Sequence, residues 1–89
     1  MKELLKHILE DGWTLFMSVR IDGEKVNIFH HENSKFSLWI TNSKFQFKSH
    51  WKMIRFSTDW IKFHSIEHFE IFDKQARQLD AWMIKYLTD

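Results

Sequence analysis

KFSLWITNSKFQFKSHWKMIRF, residues 35–56, alternates aromatic and aliphatic side chains with lysines on either side of Asn42-Ser43. Period-2 alternation around a short polar pair is the pattern of a hairpin whose two faces meet different environments. With Asn42-Ser43 as a two-residue turn, Ile40 faces Phe45 and Leu38 faces Phe47 on one side. Trp39 faces Gln46 and Ser37 faces Lys48 on the other. Apolar meets apolar and polar meets polar, so the register supports itself.

Upstream, residues 13–21 alternate in the same way, with Trp13, Leu15, Met17, Val19 and Ile21 on one side and Thr14, Phe16, Ser18 and Arg20 on the other. Asp22-Gly23 supplies a type I′ turn signal, because both central residues of that turn need positive φ. The register it sets pairs Val19 with Val26, Met17 with Ile28 and Leu15 with His30, and Ser18 with Asn27 and Arg20 with Lys25. Two self-consistent hairpins predict an antiparallel sheet, with the apolar side of each facing the core and the cationic side of the second facing solvent.

Residues 2–11 place Leu4, Leu5, Ile8 and Leu9 on one helical stripe, and Gly12 follows as the terminating residue. A helix this short needs a docking surface, most simply the sheet. Residues 51–56 are expected to form a further strand, and residues 60–64 and 66–72 two extended segments separated by a corner at His64-Ser65. Asp73 is placed to cap a C-terminal helix reaching about Leu87, with Ala76, Leu79, Met83, Tyr86 and Leu87 on one stripe and Trp82 at its edge. The whole is an α+β domain spanning residues 1–89: an N-terminal helix, a mainly antiparallel sheet of five to seven strands, and a C-terminal amphipathic helix.

The totals bound the partners. The chain has 89 residues, 44% of them hydrophobic, with nine Phe, five Trp and no Cys. That composition implies a packed aromatic core rather than disorder, and it leaves no disulfide or thiolate metal site to staple the fold. The acids and bases among the N-terminal leucines do not fit a signal peptide, and no window reaches the length of a membrane span. A soluble, cytoplasmic protein without a membrane partner is expected. Net charge is −2 over residues 1–34, +5 over 35–62 and −2 over 63–89. The middle is the basic part.

WIKFHSIEHFEIFDKQARQLDAWMIKYL, residues 60–87, resembles the end of a pleckstrin-homology or GRAM-type domain, in which strand, tight corner, strand and C-terminal helix close a rolled antiparallel sheet. The resemblance implies seven strands and a binding module for phosphoinositides or peptides. Basic residues in the first hairpin loop hold the lipid in such domains. Here that loop is Asp22-Gly23-Glu24-Lys25, with two acids against one base, and the leading helix is extra to the pattern.

Several groups could carry chemistry. His64-Ser65-Ile66-Glu67-His68 matches H-x-x-E-H, which holds zinc when it lies on a helix with a third ligand. In an extended segment the two histidines and Glu67 simply line a sheet surface. His30-His31 with Glu32 could be half of an acid–base or metal site, or rim histidines at a sheet end. The isolated glycines Gly12 and Gly23 exclude the common phosphate-cradling loops, and there is no nucleophile elbow. No cofactor is expected.

Trp39, Lys44, Gln46 and Lys48, with Lys35, Lys52 and Arg55 nearby, form an aromatic platform ringed by cations. Such a surface can stack single-stranded nucleic acid while lysines neutralise phosphate. Equally, outward lysines keep strand edges soluble, and Trp39 can sit beneath a helix. Phe16 and Phe29 face each other on the polar side of the first hairpin, where they mark a protein interface, a homodimer contact, or a second core layer under the N-terminal helix. The reading reached is a non-catalytic protein-binding module, an adaptor or inhibitor. Ten lysines against three arginines and the small size give it the general look of phage or mobile-element accessory proteins that block a host enzyme. RNA or single-stranded DNA binding is the alternative, and a small metal-dependent hydrolase or nuclease using His64, Glu67 and His68 is the third.

Overall fold

The computed structural model describes residues 1–49 and 57–88, and for residues 82–88 the backbone alone. Helix α1 (Lys2–Glu10) is followed by β1 (Thr14–Ile21), β2 (Glu24–His30), β3 (Phe36–Ile40), β4 (Lys44–Ser49), β5 (Ile61–Lys62) and helix α2 (Ile66–Thr88). The strands form one antiparallel sheet in chain order, β1-β2-β3-β4-β5. The architecture is α+β.

Helix α1 buries Leu4 and Ile8, one turn apart. Its end is a Schellman motif: the Gly12 N–H donates to Leu9 O and the Trp13 N–H to Ile8 O at 3.0 Å. Gly12 supports it at φ 100°, a conformation that costs side-chain-bearing residues energy. A Cβ there would also stand 2.9 Å from His31 Nε2.

Asp22 and Gly23, at φ 52° and 81°, close the first hairpin as the sequence predicts. Val19 pairs with Val26, Met17 with Ile28, Ser18 with Asn27 and Arg20 with Lys25. A β-bulge shifts the last part, so Leu15 pairs with Phe29 instead of His30, leaving Phe16 as the extra residue. The second hairpin matches its predicted register throughout, from Ile40↔Phe45 to Ser37↔Lys48. Its turn is held by Thr41, whose N–H donates to Lys44 O at 2.9 Å and whose Oγ1 accepts the Lys44 N–H at 3.0 Å.

The core lies between the helices and one face of the sheet. Phe29, Phe36, Leu38, Ile40, Phe45 and Phe47 point to Leu4, Ile8, Phe69 and Ala76, with Trp13 beside them. Phe69 anchors α2, its ring 5.1 Å from Phe45 and stacked on Phe47 at 5.8 Å.

Two expectations need correction. Residues 66–72 are not a strand: α2 begins at Ile66, capped by Ser65, whose Oγ accepts the His68 N–H at 3.2 Å. Asp73 is therefore a buried residue inside the helix rather than its cap. Second, the two hairpins do not turn their apolar sides the same way. Phe29 pairs with Leu38 and Ile28 with Trp39, so Met17, Val19, Val26 and Ile28 share the face of Trp39, opposite the helices. The strand expected at residues 51–56 lies outside the described residues.

Candidate functional site

Strand alternation sets Trp39, Gln46, Lys44, Lys48 and Lys62 on the face of the sheet opposite α1 and α2. Lys44 lies opposite Lys62, and both are exposed. Lys48 Nζ sits 4.7 Å above the Trp39 ring, a cation–π contact. Trp39 is itself half-buried, and its indole N–H is buried without a hydrogen-bond acceptor. A base stacking on that side of the ring would displace Lys48. Gln46 is committed to structure, its Nε2 donating to Thr58 O at 2.8 Å and Ser57 Oγ at 3.1 Å.

Of the other residues expected on this surface, Lys35 has its backbone N–H held by Asp80 Oδ1 at 2.7 Å, which ties the loop before β3 to α2. Buried Asp80 also accepts the Ser34 hydroxyl at 2.7 Å. Lys52 and Arg55 lie outside the described residues. Phe16 and Phe29 do not face each other, because the bulge separates them. Phe29 is a core residue, 4% exposed, whereas Phe16 is 61% exposed and stacks on His30 at 4.2 Å.

Next to the lysines, the same face carries an apolar half that period-2 reading could not assign. Met17 and Ile21 are exposed there, Val19 is half-buried, and Val26 and Ile28 are buried. Leu15 is exposed on the opposite side of β1. Among the described residues β1 has β2 as its one strand neighbour, and seven of its eight residues are exposed. Trp60, partly exposed, joins Val26, Thr41, Lys44 and the first hairpin turn around a cavity of about 120 Å³.

The histidines fall into separate places. His31 is structural: its Nδ1 accepts the Asn33 N–H at 3.0 Å, which leaves Nε2 to donate to Asp11 O at 2.8 Å. His64 precedes α2 and His68 lies in its first turn, their rings in edge contact at 5.1 Å, while Glu67 is exposed. Among the described residues no group of three or more His, Asp or Glu side chains is arranged to hold a metal.

Between α1 and α2 a charged cluster joins the helices. Arg77 donates through Nη2 to Asp11 Oδ2 and through Nε to Asp73 Oδ2 at 3.3 Å, and His7 Nε2 lies 3.5 Å from Glu70 Oε1. Burial holds the Asp73 carboxyl above its ordinary value of 3.8 despite the opposing pull of Arg77.

The fold and surface together define a small α+β domain with a mixed apolar and cationic sheet face. Comparison with protein families, curated proteins and solved structures finds no match to the chain. No helix among the described residues is long and apolar enough to cross a membrane.

Proposed function

We propose that the chain is a small non-catalytic protein-binding module, an adaptor or an inhibitor of another protein, and that β1 is its contact element. One observation carries this reading: Leu15, Phe16, Met17 and Ile21 are exposed together on an edge strand, at 41–61% of their full accessible areas. Exposed apolar side chains beside unpaired backbone groups favour strand addition, where main-chain hydrogen bonds supply affinity and side-chain contacts supply specificity. The phosphoinositide reading finds no help in the first hairpin loop, where Asp22 and Glu24 outnumber Lys25. The test is capture from a cell extract with nuclease present, comparing the wild type with Phe16→Asp and Met17→Asp. Partners retained by wild type and lost by both folded variants support the module; identical retention by all three removes β1 as the contact.

A second reading is RNA or single-stranded DNA binding, favoured by the exposed Lys44, Lys48 and Lys62 beside Trp39 on one face, with Trp60 lining a cavity next to Lys44. Fluorescence titration with short oligonucleotides would then give binding that weakens steeply with salt and with Lys44→Ala/Lys48→Ala. Absence of binding at low salt eliminates it.

A further inference from the structure

We infer that the partner of β1 includes a second copy of this chain, added antiparallel across the β1 edge to make one continuous ten-stranded sheet. The inference rests on the reading of β1 as the contact element and names its occupant.

The two ends of the sheet are built differently. At one end β5 is two residues long and carries Lys62, the usual protection of an edge against further pairing. At the other, β1 runs eight residues, TLFMSVRI, with a single charge at Arg20 and no proline. Its bulge distorts one end and leaves Met17–Ile21 in regular pairing with β2.

Backbone polarity follows from the turn. A two-residue hairpin makes its flanking pair, here Ile21↔Glu24, exchange both hydrogen bonds, and the pattern repeats every second residue at Val19↔Val26 and Met17↔Ile28. The N–H and C=O groups of Ser18 and Arg20 therefore point away from β2, out of the sheet edge. A two-fold axis at Val19 satisfies them reciprocally: Ser18 of one copy exchanges hydrogen bonds with Arg20 of the other, on both sides of the axis.

The same axis matches the side chains. On the face opposite α1 and α2 Val19 meets Val19, and Met17 meets Ile21 twice, giving an apolar ladder continuous with buried Val26 and Ile28. On the other face Ser18 meets Arg20, so no like charges are opposed. Centring the pair on Arg20 would oppose two guanidinium groups.

Size sets the strength. An axis at Val19 sets the five residues Met17–Ile21 opposite one another; at about 3.3 Å each, with side chains spanning roughly 20 Å across both faces, they bury on the order of 350 Å² per copy. The total, on the order of 700 Å², is smaller than stable specific interfaces and fits a weak, reversible dimer with a dissociation constant on the order of 0.1–1 mM.

The test is analytical ultracentrifugation of the whole chain over a series from about 10 μM to about 1 mM, with Val19→Lys, Val19→Glu and their equimolar mixture, each checked for folding by circular dichroism. The wild type is expected to pass from monomer to dimer. Each variant alone should associate about tenfold more weakly or worse, from opposed like charges and a lost apolar pair, and the mixture should recover the dimer. That recovery requires the two residue-19 side chains to meet, which loss of folding cannot imitate. A wild type that stays monomeric throughout overturns the inference. So does a dimer that neither variant weakens, or a mixture that fails to recover association. If the monomeric wild type still captures other proteins in a manner lost with Phe16→Asp, self-association fails while the binding-module reading stands.

Discussion

Replacing Phe69 and Ile71 by alanine, one at a time, separates a helical from an extended reading of residues 66–72. In a strand the two side chains share a face. In α2 they do not: Phe69 is 1% exposed and Ile71 is 56% exposed. Phe69 packs its ring 5.1 Å from Phe45, 5.8 Å from Phe47 and 6.1 Å from His7, so truncation opens a cavity at the centre of the aromatic cluster. Such a change costs about 3–5 kcal/mol, against a total of about 4–13 kcal/mol for a domain of this length. The urea midpoint should fall by about 2 M or more, given slopes near the low end for small proteins. Phe69→Leu, which keeps most of the volume, should fall part of the way and guards against outright unfolding. Ile71→Ala should stay within about 0.5 kcal/mol of wild type. Equal losses for Phe69→Ala and Ile71→Ala, or a Phe69→Ala loss below about 1 kcal/mol, would refute the packing described.

Asp73→Asn removes a carboxylate whose charged form is penalised by burial. With the folded-state value raised, the contribution of Asp73 to stability is fully present below about 3.8 and is lost as pH rises through the raised value. The asparagine variant should therefore melt at or above wild type at neutral pH and lose ground to it as pH falls; melting temperatures across that range check the sign, and an unchanging difference contradicts it. Gly12→Ala should cost about 2–3 kcal/mol, from positive φ and from the Cβ set 2.9 Å from His31. In that background His31→Ala should cost less than it does in wild type, a coupling a double-mutant cycle measures directly. Asp80→Ala strands the Lys35 N–H and Ser34 hydroxyl and should lower stability by about 1–3 kcal/mol in chemical denaturation; a neutral result would deny the clasp between α2 and the loop before β3.

Both hairpins were legible because turn chemistry and period-2 alternation act within a few residues. Asp22-Gly23 and Asn42-Ser43 each fixed a register, and the second was right at every predicted pair. What alternation cannot supply is the relation between hairpins. Whether Ile28 or Phe29 turns toward the helices depends on how the loop at residues 31–35 joins β2 to β3, and the sequence there permits either. That one-residue phase moved the apolar side of the first hairpin onto the face of Trp39. The bulge at Phe16 carries no glycine to announce it, so the pairing of Phe16 with Phe29 was misplaced. In residues 66–72 the aromatic and β-branched residues favour a strand, and Asp73 imitates a cap. The deciding pattern is the longer one, Ile66, Phe69, Asp73, Ala76 and Asp80, which follows the helical period and includes two acids that composition alone would not place inside.

The open edge of β1 is most directly tested by residue-resolved amide exchange at two protein concentrations. In dilute solution the Ser18 and Arg20 amides should exchange quickly while those of Met17, Val19 and Ile21 are protected by β2, and at high concentration Ser18 and Arg20 should become protected as well. Protection of Ser18 and Arg20 equal to that of Val19 in dilute solution, or rapid exchange unchanged at every concentration, would contradict an edge that is open in the monomer and covered by a second copy.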